Sequence, residues 1–317
     1  MPVEEAENLH KSVMPSETLA LLSPNAGEIF VDATVGFGGH TELILNASES
    51  VKVIAIDQDR QALELAKARL GVLSERVTFV QSNFSEIRTV LEDLGISEVD
   101  GILADLGVSS IQLDDPERGF SFRFDAPLDM RMDQDSESET AAQILERLSE
   151  FEIARIIYEY GEERHSRRIA RRIVEKRDRG EPVLTTRELA QLVEKCVKRG
   201  KKDKVHPATK TFQALRIAVN NELGILKDFI NDCVELLKPG GRLCLITFHS
   251  LEDRIVKQLF QNLAGKCSCP PRMPVCICGA EKKIEILTRK PFTAGIEELD
   301  ENPRSRSAKL RGCRKLD

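Results

Sequence analysis

From Ile29 onward the chain alternates short β-branched runs with amphipathic stretches of helical spacing, the pattern of βαβ units that close a mostly parallel sheet. It predicts strands at 29–34 (IFVDAT), 52–57 (KVIAID), 77–81 (VTFVQ) and 101–106 (GILADL), with helices near 40–48, 59–70 and 85–94. Each helix follows a loop that leaves the C-terminal end of a strand. The alternation breaks after Leu106, and from about 114 to 204 helical patterns rich in Arg, Glu and Ile replace the β-branched runs, which predicts a helical insertion. A long helix is then expected over 211–237, ended by Pro239-Gly240-Gly241, through which a helix does not continue. A strand at 242–248, a helix from about 250 to 262 and strands at 283–289 and 307–313 complete the pattern, the last two fitting a terminal hairpin. The expected division is therefore a sheet domain in two parts, 1–113 and 209–317, around an inserted helical domain at 114–208.

Composition changes this picture little. The chain of 317 residues is 41% hydrophobic and 31% charged, as in ordinary globular proteins and unlike disordered or fibrous ones. No apolar run approaches the ~18 residues that span a bilayer. Residues 1–10 are acidic and lack the basic-then-apolar pattern of a secretory signal, so the cytoplasm is the expected compartment. There, eight cysteines are expected as thiols or metal ligands rather than disulfides. The net charge of −6 argues against a nucleic-acid binder, but phosphate responds to local patches. Such patches lie at 164–179 (RHSRRIARRIVEKRDR), 195–204 (KCVKRGKKDK) and 304–315 (RSRSAKLRGCRK). The first interleaves Ile169, Ile173 and Val174 at helical spacing, so a solvated helix face fits it as well as an RNA contact does. The second has Gly200 and no apolar periodicity, which favours phosphate contact.

The first expected strand runs into Asp32-Ala33-Thr34-Val35-Gly36-Phe37-Gly38-Gly39-His40, a glycine-rich turn leading into a helix. Glycine there permits positive φ and close approach of a ligand to the backbone. At the end of the second strand Asp57 is placed to accept both hydroxyls of an adenosine ribose. This much fits NAD, FAD and S-adenosyl-L-methionine alike. Two details favour the last. Asp32 would repel a pyrophosphate but attract an ammonium and a sulfonium. The Gly36-Phe37-Gly38-Gly39 loop also lacks the G-x-G-x-x-G spacing that presents a helix N-terminus to a pyrophosphate.

Longer blocks extend the likeness over the whole chain: HKSVM at 10–14, DATVGFGGHTELIL at 32–45, AIDQDRQAL at 55–63, DLGVSSIQLDD at 105–115, RGFSFRFDAPLDMRMD at 118–133, GEERHSRRIARRIV at 161–174, HPATKTFQALRIAVNNEL at 206–223, PGGRLCLITFHSLEDRIVK at 239–257 and NPRSRSAKLR at 302–311. In these the sequence resembles the MraW family, the bacterial ribosomal RNA small-subunit methyltransferases H. The resemblance implies a class I S-adenosylmethionine-dependent methyltransferase fold, an α/β Rossmann-like sheet with an all-helical domain inserted after the fourth strand. It implies methylation of N4 of a cytidine in the decoding region of 16S ribosomal RNA; such a target and the basic insertion favour the 30S subunit, although composition does not decide between it and free RNA. It also implies that Gly38, Gly39 and His40 touch the cofactor, that Asp57 is the ribose ligand, that Phe84 flanks the adenine, and that Asp105 and Gln112 belong to the cofactor site. Arg123 and Arg131 become expected phosphate contacts. A non-catalytic RNA-binding ribosome-assembly factor is the alternative from another class, and no oligomeric state follows.

Transfer from a sulfonium needs the acceptor nitrogen held opposite the sulfur with water excluded. The lone pair of cytosine N4 is delocalised, so an acceptor for an N4 hydrogen would favour attack and could take the proton. The D/N/S-P-P-aromatic motif of many amino-methyltransferases is absent. Its place is held by Asp105-Leu106-Gly107-Val108-Ser109-Ser110, which makes Asp105 the first catalytic candidate, with Ser109 and Ser110 as orienting groups. A base must be unpaired or extruded for such chemistry, and Arg118, Phe120 and Phe122 are candidates to grip it. His249 and Ser250 are expected to border the base pocket; the run Phe248 to Asp253 carries no G-x-S-x-G elbow, so a hydrolase triad is not expected. Cys267, Cys269, Cys276 and Cys278 could hold a structural zinc, although C-x-C spacing also suits uncoordinated thiols.

Overall fold

The computed structural model describes residues 11–197, 205–267, 269 and 281–317. The chain divides into two compact units, Met1–Gly107 with Leu223–Asp317, and Val108–Glu222. No helix among the described residues is long and apolar enough to cross a membrane.

The first unit holds a seven-stranded sheet in the order β3-β2-β1-β4-β5-β7-β6. Its strands are β1 (Ile29–Asp32), β2 (Lys52–Asp57), β3 (Val77–Gln81), β4 (Val99–Asp105), β5 (Leu237–Thr247), β6 (Ile284–Ile286) and β7 (Lys309–Lys315). Strands β1 to β5 pair in parallel, Phe30 beside Val53 and Gly101. Strand β7 runs antiparallel between β5 and β6. The expected terminal hairpin is thus β6 with β7.

Burial on both faces explains the continuous apolar runs, since parallel strands carry helices on each side. Val31, Ile54, Ile56, Ile102 and Leu245 face one core, shared with Phe229 and Phe260. Phe30, Val53, Leu103 and Ile246 point to the other, against Met14, Leu22 and Leu45. The flanking helices are α1 (Pro15–Leu22), α2 (Gly39–Asn46), α3 (Arg60–Leu70) and α4 (Ile87–Asp93). This is the Rossmann-like α/β sheet that the sequence pattern predicts.

The second unit is helical: α5 (Ser110–Asp114), α6 (Ala141–Arg147), α7 (Glu150–Gly161), α8 (Ser166–Asp178), α9 (Thr186–Cys196) and α10 (Thr209–Asn220). Capping boxes start three of them, with Thr140, Ser149 and Thr185 each paired to a Gln or Glu three residues on. Its core gathers Leu128, Met130, Ile157, Ile169, Leu189 and Leu215.

Two elements differ from the sequence pattern. The single helix expected over 211–237 is two, α10 and α11 (Glu222–Leu236), because Asn221 between them takes the left-handed conformation at φ 50°. Strand β5 begins at Leu237, so Pro239-Gly240-Gly241 lies within the strand rather than before it; Lys238 ties this start to Asp100 of β4 at 2.8 Å. Two further helices of the described residues belong to the first unit, α12 (Ser250–Leu263), where the sequence pattern predicts one, and α13 (Ile296–Glu301), where it predicts none. Helix α1 was also unforeseen, although Pro15 at its first position is a start signal.

Candidate cofactor site

The strand order reverses between β1 and β4, the place where open α/β sheets bind ligands beyond their carboxyl ends. Asp32 ends β1, Asp57 ends β2 and Asp105 ends β4, so three carboxylates stand on adjacent strand ends. The backbone of β4 is tied to the first loop where Thr34 Oγ1 accepts the Asp105 N–H at 2.6 Å.

The glycine loop shapes the floor. Gly36 and Gly38 have φ of 50° and 79°, a left-handed region that a side chain would strain. Gly36 also donates its N–H to Asp57 Oδ2 at 2.9 Å, and Asp59 N–H reaches Oδ1 at 2.9 Å. These bonds hold the Asp57 carboxylate in a fixed plane at the strand end. Beside it Asn83 Nδ2 donates to Gln58 Oε1 at 2.9 Å, and Phe84 packs edge-on against Phe229 with ring centroids 4.8 Å apart.

Asp32 is buried at 1% exposure beneath the loop. Its oxygens accept from Thr41 Oγ1 at 2.7 Å and from Thr34 N at 3.3 Å. It therefore acts on a ligand chiefly through its field. Burial pushes Asp32 up to about 6, from an ordinary 3.8, against the pull of those bonds. Burial likewise pushes Asp57 up to about 6, with the charges of Asp59 and Asp32 adding to it. Asp105 is raised well above the usual carboxylate range by burial first, then by the charges of Asp32 and Glu252. His40, buried at the start of α2, is pushed down to about 4 by the same loss of water.

These groups are not reconciled with one another by protein partners. Asp105 Oδ1 and His40 Nε2 are buried without a hydrogen bond, and His40 Nε2 stands 3.9 Å from Asp105 Oδ2. Buried polar atoms left unpaired are costly, and these two stand together at the carboxyl end of β4. The donor set is acidic, suits ribose hydroxyls at Asp57, and repels a pyrophosphate. It fits the adenosyl, ammonium and sulfonium groups of S-adenosylmethionine.

The remaining candidates lie elsewhere. In the second unit Ser109 and Gln112 cap the start of α5 reciprocally, Ser109 N donating to Gln112 Oε1 at 3.1 Å and Gln112 N to Ser109 Oγ at 3.2 Å. Ser110 is the first residue of α5. Arg118, only 3% exposed, donates to the carbonyls of Met132 at 2.7 Å and Arg131 at 3.3 Å, and Phe120 lies in the helical core. Phe122 is stacked on His206 at 4.5 Å and edge-on to Phe212. Arg131 is fixed on both oxygens of Asp129, at 2.8 and 3.0 Å. Arg123 is widely exposed, at 72%, with Asp114 3.9 Å away.

In the first unit His249 is the N-cap of α12, its Nδ1 accepting the Glu252 N–H, while Glu252 takes the N–H groups of Phe248 and His249. Its Nε2 is 3.1 Å from Glu252 Oε1, near enough for an ion pair but outside hydrogen-bond geometry. Ser250 is exposed at the first position of that helix. Asp253 is engaged by Arg311 at 2.7 Å and Lys309 at 2.9 Å. Cys267 and Cys269 are described, but Cys276 and Cys278 lie outside the described residues, as do residues 198–204 of the second basic stretch. Sequence reasoning missed Thr34, Thr41, Gln58 and Asn83, common polar residues whose roles appear only when strand ends are brought together.

The MraW methylase family profile matches residues 7–316. Ribosomal RNA small subunit methyltransferase H of Syntrophotalea carbinolica is 52% identical, over 97% of this chain and 98% of its own length. The protein of the same name from Geobacter sulfurreducens is also 52% identical, over 97% and 99%. Among solved structures, an rRNA methylase from Streptococcus thermophilus aligns with 97% of this chain and 98% of its own at 12% identity and a TM-score of 0.43. On the full-length profile and these identities, the chain belongs to the MraW methylase family.

Proposed function

We propose that the chain transfers the methyl group of S-adenosylmethionine to N4 of a cytidine in the decoding region of 16S ribosomal RNA, acting in the cytoplasm on the 30S subunit. The observation that carries this reading is the set of three carboxylates at the ends of β1, β2 and β4, Asp32 buried and Asp57 and Asp105 half-buried, each raised in proton affinity and two of them raised further by a neighbour's charge. A cationic ligand removes that mutual repulsion. The relatives' names supply the ribosomal RNA substrate, and the family resemblance supplies the N4 position and the decoding region.

S-adenosylmethionine, when bound, supplies a methyl group already activated on a sulfonium. The chain does the rest by position. Asp57, locked by two backbone N–H groups, offers its remaining lone pairs to the ribose hydroxyls. Asp32, held by Thr41, fixes the loop and lends negative potential. A cation beside Asp105 favours its ionised form, whose unpartnered Oδ1 accepts an N4 hydrogen bond and then the proton shed by the amine.

The test is methyl transfer from labelled S-adenosylmethionine to 30S subunits from cells lacking the activity, followed by nucleoside mass spectrometry. Labelled N4-methylcytidine that disappears with Asp105→Ala is the expected result. Tight binding of S-adenosylmethionine without label on 30S or free RNA would overturn the substrate. RNA binding without any methyl transfer would leave the assembly-factor reading instead.

A further inference from the structure

The second unit carries a surface that the methyl-transfer chemistry does not use. Helix α7 turns Ile153, Ala154 and Ile157 into the core. Its opposite face presents Phe151 at 74% exposure and Tyr158 at 61%, seven residues apart, with exposed Arg155 between them. Two turns of helix separate the rings by about 10 Å along the axis, so they do not cover each other. A single exposed apolar residue needs no explanation, but two aromatics on one stripe around an arginine leave a platform with no protein partner among the described residues.

Helix α8 supplies the charge. From Arg164, just before it, to Arg172, the chain exposes Arg164, Arg167, Arg168, Arg171 and Arg172 and no carboxylate. Arg171 reaches back to Glu150, the residue before Phe151 at the start of α7, at 3.7 Å. Arg172 is paired with Glu175 at 2.8 Å. Arg164, Arg167 and Arg168 have no carboxylate partner among the described residues. The apolar positions Ile169 and Ile173 are buried, so the periodicity that suggested a solvated face accounts for the core side of α8 and not for this concentration of arginine.

We infer that the outer face of α7 and α8 docks a single-stranded segment of ribosomal RNA, Phe151 and Tyr158 stacking on unpaired bases while Arg164, Arg167 and Arg168 hold phosphates. An acidic protein surface would pair with the arginines but has no general use for two bare rings; unpaired RNA offers a π-face and a charge at every nucleotide. The inference rests on the ribosomal RNA substrate proposed above.

Two variants separate the contributions: Phe151→Ala with Tyr158→Ala, and Arg164→Gln with Arg167→Gln and Arg168→Gln. Each is titrated into deproteinised 16S ribosomal RNA at several salt concentrations, with methyl transfer to 30S measured on the same preparations. The aromatic variant is expected to bind about tenfold or more weaker with an unchanged salt slope, and Phe151→Trp with Tyr158→Phe to bind like the parent. The arginine variant is expected to lose about 2 from the slope of log affinity against log salt. Parent-like binding by both variants overturns the inference, as does a parent protein that methylates 30S yet does not bind the free RNA, which would assign this face to a ribosomal protein. A parent that neither binds the RNA nor methylates 30S overturns the proposed function itself.

Discussion

The two units hold their chemistry in opposite ways. In the sheet unit the functional groups sit on strand ends, Asp32 buried and Asp57 and Asp105 partly so, and conflict with one another: all three resist ionisation. In the helical unit polar and aromatic groups of the 118–133 block have partners within the unit, Arg118 on carbonyls, Arg131 on Asp129, Phe122 on His206 and Phe212. That unit also carries exposed aromatics and arginines, Phe151 and Tyr158 on α7 and Arg167 and Arg168 on α8. The contrast teaches that a buried polar group points to a ligand only when its hydrogen bonds remain open. Arg118 is held by the carbonyls of Met132 and Arg131, whereas Asp105 Oδ1 has no hydrogen-bond partner.

The contrast breaks most visibly at Arg118. If its guanidinium is an internal brace for the 131–132 backbone, Arg118→Ala leaves two carbonyls without their donor and a cavity behind them. We expect a loss of about 4 kcal/mol in thermal or denaturant unfolding. Arg123→Ala, at an exposed position, should leave stability within about 0.5 kcal/mol. A stable Arg118→Ala protein that had lost RNA affinity would instead return Arg118 to the substrate surface.

The sheet unit is sharpened by pH. Burial lifts Asp32 and Asp57 from 3.8 to about 6 in the folded protein, so the folded state binds their protons more tightly than the unfolded chain does. Their contribution to stability is therefore complete below 3.8 and is lost as pH rises through 6. Asp32→Asn should remove part of that loss and stabilise the ligand-free protein at neutral pH by about 2 kcal/mol, after allowance for a weaker bond to Thr41. The same change should weaken S-adenosylmethionine binding, and in the parent the melting shift caused by the cofactor should grow from pH 5 to 7. A ligand-free Asp32→Asn protein less stable than the parent at neutral pH would show that the Thr41 bond outweighs the buried charge.

Much of the sheet unit was legible because parallel strands need near-continuous β-branched runs and the loop after β1 needs glycine. The spacing from Gly36 to Asp57 is a consequence of one βαβ unit, and the structure joins those two residues by a hydrogen bond. Thr34 and Asn83 were not legible, since a threonine at a strand end looks the same whether it braces Asp105 or faces water. In the helical unit, helices were legible from their period, but the direction of Arg118 was not. A 3-10 turn at Pro116–Arg118 followed by Gly119 at φ 71° rotates that side chain inward, and no periodicity reports such a turn. The assignments of Phe120 and Phe122 to a grip on the base meet the same difficulty, because both rings are occupied within the unit's own packing.

The smallest expected effect concerns the break that the pattern over 211–237 did not show. Asn221 ends α10 in the left-handed region, where its N–H bonds to Ile217 O and its own side chain is tolerated better than most. Asn220 is already engaged, donating Nδ2 to the carbonyls of Met130 at 2.8 Å and Arg216 at 2.8 Å and accepting from Met132 N at 2.8 Å, so the two asparagines have different tasks. Asn221→Gly should be near neutral, because glycine adopts positive φ freely while loosening the unfolded chain. Asn221→Ala should cost about 1 kcal/mol, since alanine is strained there. The difference between the two variants in urea unfolding measures the backbone term alone. If Asn221→Ala were as stable as the parent, the two helices would be able to fuse into the continuous one that the hydrophobic spacing predicts.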